Sequence, residues 1–253
     1  MLHAFGNTPH QVQAIQQVFQ TLEHHYGWFE WWATPQPYDI MVGSVLVQNT
    51  TWKNAEKALH NLGHNLAPNY VASLPLEELA NKIRSSGYYN QKALKLKALT
   101  QWYAQYGYDM ERVRAQTLTT LRSELLDIKG VGGETADVIL VYAIGKPSFV
   151  IDAYARRIVS RNGITVPRGY EAFRLLMESA LSVTSVTPIN CEADVRVHTG
   201  TSTDTDTDTD TDTDTKRYAY YHGLIVEHGQ QFCNKVPNCG SCPLGLSCPK
   251  IGV

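Results

Sequence analysis

The chain of 253 residues is 43% hydrophobic and carries a formal net charge of −2. This composition is that of a soluble globular protein that can bury a core without disulfide bonds. No run of about 18 apolar residues occurs, which argues against a membrane span, and the first residues lack the basic and apolar regions of a secretory signal. A cytoplasmic location is therefore expected.

The acidic residues are unevenly distributed. Six aspartates lie between Asp204 and Asp214, and without them the net charge would be +4. A mildly basic remainder permits a nucleic-acid partner, although charge alone does not propose one.

Apolar residues recur at helical spacing through most of the chain. The segment 38–48 is almost wholly apolar, and its continuation into good helix formers favours a buried helix over a buried strand. No Asn-Gly or Asp-Gly turn between alternating runs suggests an antiparallel sheet. The prediction is an all-α fold with short loops. Its helices are expected over 9–25, 74–87, 91–107, 117–130, 132–145 and 170–181.

Residues 199–215 are of low complexity, and Thr and Asp alternate from 203 to 215. These residues are poor helix formers, their like charges repel, and none is apolar. We expect a disordered acidic insert, with helix resuming at 217–226. A calcium loop is the alternative, but the strip lacks the fixed glycine and terminal glutamate of such loops.

A glycine-rich turn, Gly130-Val131-Gly132-Gly133, joins two predicted helices. Glycine tolerates positive φ and close approach of another backbone, and the following helix directs its positive end to the same place. A phosphate site is therefore predicted. Its residues are Lys129, Gly130, Val131, Gly132 and Thr135. The alternative is an ordinary turn between two helices.

Asp152 follows the apolar run 149–151. A carboxylate at the edge of a buried segment is costly unless it caps a helix or takes part in chemistry. Both explanations remain open, since Asp before AYARRIV is also a good N-cap.

Four of the five cysteines lie in the last 21 residues, as Cys233, Cys239, Cys242 and Cys248. In a cytoplasmic protein this clustering favours a metal site over disulfides. Four thiolates can bind zinc or a four-iron cluster. Cys191 stands apart and is predicted to be a free thiol.

The motifs together resemble the helix-hairpin-helix DNA glycosylases of the endonuclease III superfamily. The family pattern L-x-x-G-V-G-x-x-T-A, then V-D-x-x-x-x-R, is matched over 126–136 and 151–157. Residues 44–50 and 87–93 also resemble the family's early helix ending in Gln and its G-[FLY]-Y-x-x-K-A turn.

The resemblance implies two helical lobes. One covers 26–145, with the helix-hairpin-helix at about 125–145; the other joins 1–25 to 146–253, with a cluster loop at 233–248. It also implies a monomeric repair enzyme that acts on double-stranded DNA containing a damaged base. Its location would be cytoplasmic, at the nucleoid if the chain is bacterial.

By the same resemblance, Asp152 is the catalytic carboxylate, which stabilises the oxocarbenium-like sugar and orients water. Bifunctional members carry a Schiff-base lysine immediately before Thr-Ala, in the pattern G-V-G-x-K-T-A, and this chain has Glu134 there. A carboxylate cannot form an imine. A monofunctional glycosylase that flips its base from the stack is therefore expected, with strand cleavage doubtful.

Trp31 and Trp32 resemble the Trp pair of the 3-methyladenine-specific branch, where with Gln48 they would form the base pocket. A positively charged alkylpurine gains about 1–2 kcal/mol of cation–π energy between indoles. The alternatives are that the Trp residues fill the core and that Gln48 caps its own helix.

The cysteine loop runs C-x5-C-x2-C-x5-C, one residue shorter in its first gap than the family's loop. The resemblance implies a [4Fe–4S] cluster in preference to zinc. Its expected role is to shape the loop and present Lys235 or Lys250 to phosphates.

Three other functions stay open. They are an endonuclease III-like glycosylase and AP lyase for oxidised pyrimidines, a mismatch glycosylase, and a non-catalytic protein that binds DNA structures.

Overall fold

The computed structural model describes residues 8–32, 36–63, 66–182 and 207–253. Every regular element in these ranges is helical, which confirms the predicted all-α fold. The helices are α1 Pro9–Tyr26, α2 Pro37–Leu46, α3 Trp52–Leu62, α4 Pro68–Ser73, α5 Leu76–Lys82, α6 Tyr89–Gln105, α7 Met110–Arg114, α8 Leu118–Asp127, α9 Gly133–Val138, α10 Ala153–Arg161, α11 Tyr170–Leu181 and α12 Thr207–Gln231. None of these helices is long and apolar enough to cross a membrane.

The chain divides into two compact units, residues 30–152 and residues 1–29 with 153–253. Both divisions fall a few residues later than those expected from the sequence, at 29/30 and 152/153 instead of 25/26 and 145/146. Asp152 is thus the last residue of the continuous unit, immediately before α10 begins.

The continuous unit is built around α2, which is buried along most of its length from Tyr38 to Leu46. This helix contacts α3, α6, α9 and the π-helical segment that follows α9. Its near-uniform apolar sequence is explained by these neighbours, because a helix enclosed on all sides has no polar face.

Lys92 on α6 hydrogen-bonds to the main chain at two places in this unit, the end of α2 and the segment before α6. Its Nζ donates to the carbonyl of Leu46, at the end of α2, at 2.8 Å and to that of Ser86, before α6, at 2.7 Å. The side chain is 2% exposed. Burial, with a smaller contribution from Lys95, lowers the pKa of Lys92 to about 8.

The helix predicted over 132–145 changes type midway. It is α-helical over Gly133–Val138 and π-helical over Ile139–Ile144. The wider turns end where Lys146 N–H donates to the Leu140 carbonyl at 2.8 Å, next to Gly145 at φ +82°. Apolar periodicity does not distinguish the two helix types, and π-turns are frequent at functional sites.

The discontinuous unit packs α1 against α11 and α12, and α10 against α12. Helix α1 begins with a capping box in which Gln11 N–H donates to Thr8 Oγ1 at 3.3 Å and Thr8 N–H donates to Gln11 Oε1 at 3.2 Å. Phe19 packs on Tyr221 with ring centroids 4.7 Å apart.

The prediction of a disordered insert over 199–215 is wrong for 207–215, which form the first turns of α12. Thr215 is buried and Lys216 pairs with Asp212 at 2.7 Å, one helical turn away. Residues 199–206 and Cys191 lie outside the described residues, as do Ala33 to Pro35.

Candidate active site

The hairpin turn connects α8 to α9. Gly130 adopts φ +90°, while Gly132, also expected to exploit glycine's freedom, is extended and serves as the N-cap of α9. Val131 N–H donates to the Ile128 carbonyl at 2.9 Å, and both side chains are buried. The apolar residues of the turn therefore anchor it, and one glycine makes the reversal.

The structure divides the five predicted phosphate-binding residues into two groups. Lys129, Gly130 and Gly132 are exposed, whereas Val131 and Thr135 are 5% and 7% exposed. Val131 and Thr135 can therefore offer a ligand little beyond their main-chain groups.

Two carboxylates meet beside the hairpin. Glu134 lies in the first turn of α9, and its pKa is raised to about 7, first by loss of hydration and second by the charge of Asp152. Glu134 as a whole residue is exposed to solvent, whereas its carboxyl group loses hydration to neighbouring protein atoms. At neutral pH this carboxyl group is partly protonated, and the pair carries less than two full charges.

Three aromatic side chains cluster in the same unit. Trp32 meets Trp52 at a ring-centroid distance of 5.3 Å, edge to face, and Tyr142 at 5.5 Å. Burial and the charge of Asp152 raise the pKa of Tyr142 well above its usual value. Tyr142 therefore connects the aromatic cluster electrostatically to Asp152.

Gly43 on α2 makes room for this cluster. A Cβ at residue 43 would lie 3.3 Å from Trp32 Cζ2 and 3.7 Å from Trp52 Cη2. Trp52 remains 43% exposed, so the cluster offers an open aromatic surface. Trp31, the other predicted pocket residue, is partly buried.

Gln48 contacts the hairpin. Its Nε2 donates to Thr135 Oγ1 at 2.8 Å and to the Gly130 carbonyl at 3.4 Å, while Lys95 Nζ donates to its Oε1 at 2.6 Å. These bonds contradict the alternative that Gln48 caps its own helix, because its side-chain partners lie on α6 and on the hairpin.

A buried ion pair links the two helices of the hairpin. Asp137 on α9, which is 0% exposed, accepts from Arg122 Nε on α8 at 2.8 Å and from Ser148 Oγ at 2.7 Å. These bonds join both helices of the hairpin to the segment that leads to Asp152.

The four C-terminal cysteines line one cavity in the discontinuous unit, together with apolar side chains such as Phe232 and Leu244. In the described part of the chain, no three His, Cys, Asp or Glu side chains converge closely enough to hold a single metal ion. Burial and the other three cysteines raise the pKa of Cys242. The four thiols are thus grouped around one cavity.

Nitrogen atoms of the chain lie near several of these sulfurs. Arg161 Nη1 donates to Cys233 Sγ at 3.3 Å, and Lys250 N–H donates to Cys248 Sγ at 3.4 Å. His228 Nε2 is 3.6 Å from Cys242 Sγ, and Tyr26 Oη is 3.3 Å from His228 Nδ1. His228 is 1% exposed, and burial lowers its pKa to about 4.

Sequence reasoning missed Trp52, Lys95, Tyr142 and Asp137. Trp52 directly follows Gln48-Asn49-Thr50-Thr51, and a Trp at the first position of an amphipathic helix was the available signal. Tyr142 sits within an apolar run that gives no hint of its π-helical setting.

Tyr88 lies in the turn at 87–93. It adopts φ +46° and is 72% exposed. A non-glycine residue in the left-handed region is uncommon.

Comparison with known proteins gives a consistent result. Residues 42–182 match the model of the HhH-GPD superfamily base excision DNA repair proteins. A Methanocaldococcus jannaschii protein, provisionally classed as a DNA repair glycosylase, is 35% identical over 243 residues, covering 94% of this chain and 97% of its own.

Two solved structures also match over most of their length. One is the H. pylori 3-methyladenine DNA glycosylase bound to 1,N6-ethenoadenine, with a TM-score of 0.65, 25% identity, and coverage of 87% of this chain and 97% of that one. The other is a trapped endonuclease III–DNA covalent intermediate, with a TM-score of 0.68, 22% identity, and coverage of 94% and 96%. The predicted family is confirmed: the chain belongs to the HhH-GPD superfamily of base excision DNA repair proteins.

Proposed function

We propose that the protein is a monofunctional DNA glycosylase that hydrolyses the N-glycosidic bond of an alkylated purine in double-stranded DNA. The observation that carries the proposal is the Trp32–Trp52–Tyr142 cluster. Tyr142 interacts with the charge of Asp152, and a glutamate, Glu134, occupies the imine-forming position in place of lysine.

The aromatic cluster favours an electron-poor base. An alkylated purine carries positive charge, and the indole faces of Trp32 and Trp52 attract such a ring more strongly than a neutral base. The nearby carboxylates add to that attraction. The similar H. pylori enzyme, named for 3-methyladenine, supports the same substrate class.

Asp152 is assigned the central chemical role. Its charge stabilises the positive sugar that develops as the base departs, and it orients the water that attacks the sugar. A cationic base leaves readily, so little further acid catalysis is required. Glu134 cannot form an imine with the opened sugar, and the reaction stops at the abasic site.

The remaining residues hold the substrate. Lys129 and the exposed main chain of the hairpin at Gly130 and Gly132 are assigned to a DNA phosphate, for which cations and main-chain N–H groups are suited. Gln48 is assigned to contact the extrahelical base or the gap it leaves.

We further propose that Cys233, Cys239, Cys242 and Cys248 bind a [4Fe–4S] cluster. The donor set fits, because four thiols surround one cavity and nearby N–H groups point at sulfur, as thiolate ligands require. When bound, the cluster fixes the loop and supplies no step at the base. Lys235 and Lys250 on this loop are then available to DNA phosphates.

The substrate class is tested with a panel of duplexes, each carrying one lesion: 3-methyladenine, an oxidised pyrimidine, or a mismatched thymine or adenine. Chromatography of released bases is expected to detect the alkylpurine alone. Release of an oxidised pyrimidine or a mismatched base in its place would overturn the alkylpurine assignment, and binding without release from any duplex would favour a non-catalytic role.

A further inference from the structure

The amide of Gln48 has a fixed orientation. Lysine nitrogen can only donate, so the atom of Gln48 that lies 2.6 Å from Lys95 Nζ is the acceptor Oε1. The amide nitrogen must then face Thr135, to whose Oγ1 it donates at 2.8 Å. An Nε2 contact with the Gly130 carbonyl at 3.4 Å completes the set.

The stem of Lys95 is fixed as well. It lies across Gly130, where a Cβ would be 3.0 Å from Lys95 Cδ and 3.1 Å from Cγ and would clash with Cε. Gly130 also has φ +90°. A side chain at residue 130 would therefore strain the turn and displace Lys95.

These contacts form a closed network between α6, the segment after α2 and the hairpin. Gln48 follows α2, and its flexible side chain loses conformational entropy when it is ordered. A charge-assisted hydrogen bond from Lys95 is stronger than a neutral one. Ordering the amide in the DNA-free protein removes that entropic cost from the step in which the base is flipped out and held, after the duplex has bound.

We infer that Lys95 is a positioning residue that presents the Gln48 amide to the DNA. The inference rests on the proposed function, in which Gln48 contacts the flipped base or the gap it leaves. Lys95 acts only through Gln48 and does not touch the reacting atoms.

The test compares Lys95→Met, which retains the methylene stem over Gly130, with Lys95→Arg, which restores a donor. Lys57→Met, an exposed lysine of α3 in the same unit, is the matched control for loss of charge. Single-turnover base release is expected to fall about 10- to 100-fold in Lys95→Met, recover partly in Lys95→Arg and stay unchanged in Lys57→Met. Duplex affinity should change little in all three.

A double-mutant cycle identifies the route of the effect. In a Gln48→Ala background, Lys95→Met should cause no further loss of rate, because its partner is gone. Equal losses in the presence and absence of Gln48 would overturn the inference and leave Lys95 as a direct DNA contact.

A spectroscopic measurement separates this inference from the proposed function. The ¹⁵N relaxation of the Gln48 side-chain amide in the DNA-free protein should report an ordered group in the wild type and a mobile one in Lys95→Met. An amide equally ordered in both proteins would refute the positioning role. If the wild type releases no base, the proposed function fails, while the relaxation result still decides whether Lys95 orders Gln48.

Discussion

The candidate base pocket and the cysteine loop achieve their geometry in different ways. In the pocket, protein groups bond to one another, as in the contact of Gln48 with Thr135 and the pairing of Arg122 with Asp137. In the loop, the four cysteines border a cavity, and nearby N–H groups are directed at their sulfurs. The pocket is therefore organised by the folded chain, whereas we expect the loop to depend on a bound group.

The chemistry of the pocket gives the largest expected effect. Asp152→Asn retains the size of the side chain and removes its charge, so base release should fall by about 100- to 10,000-fold. Duplex binding should be nearly unchanged, as measured by fluorescence anisotropy. Asp127→Asn, at the exposed end of α8, is the control. A wild-type rate in Asp152→Asn would exclude the assigned mechanism.

Breaking the buried ion pair tests whether the folded chain alone organises the pocket. Asp137→Ala leaves Arg122 without its partner and should lower the free energy of unfolding by about 3–5 kcal/mol, as measured by urea denaturation. Glu111→Ala, which removes a surface pair with Arg114, should cost about 1 kcal/mol or less.

The metal content of Asp137→Ala distinguishes the two regions. Iron bound per folded chain should stay at the wild-type level, because the cysteine loop belongs to the other unit. Loss of iron from the folded variant would contradict the separation of the two regions.

The cysteine loop should respond in the opposite way. Cys239→Ser is expected to reduce the bound iron from about four atoms per chain and to lower the melting temperature, because loop folding is coupled to the metal. Ser241→Ala, an exposed neighbour, should change neither. Elemental analysis that finds zinc and no iron in the wild type would refute the cluster.

The smallest expected effect concerns Glu134. Its folded-state pKa of about 7 exceeds the usual 4.5, so the folded state binds this proton more tightly than the unfolded chain. The resulting stabilisation is complete below pH 4.5 and is lost as pH rises through about 7.

Glu134→Gln should therefore raise the melting temperature above pH 7 and leave it near wild type at pH 4. Because Glu134 is exposed, the gain is about 1 kcal/mol or less. Glu56→Gln, exposed on α3, is the matched variant. An equal gain in both variants would show a general charge effect in place of coupling to Asp152.

Local signals in the sequence predicted most helices and the hairpin. Apolar spacing identified α1, α6, α8 and α11 to within a few residues, and glycine marked the turn before α9. Those signals depend on near neighbours in the chain. The start of α12 was missed because Thr and Asp have low helix propensity, although the strip continues directly into the buried Thr215 and Tyr218.

The candidate site was harder to predict because its contacts span long stretches of sequence. Trp32, Trp52 and Tyr142 come from three separate segments, and only the packing of α2, α3 and the π-helical segment brings them together. The same applies to Lys95, which lies 47 residues from Gln48. Motif resemblance supplied Asp152, Glu134 and Trp32, but not Trp52 or Tyr142.

The central claim is that base release occurs without strand cleavage. It is tested by incubating the protein with end-labelled duplex containing 3-methyladenine, with and without borohydride, and analysing bases and strands separately. We predict free alkylpurine, an intact strand until alkali is added, and no borohydride-trapped complex. Strand nicking without alkali, or a trapped covalent complex, would contradict the account.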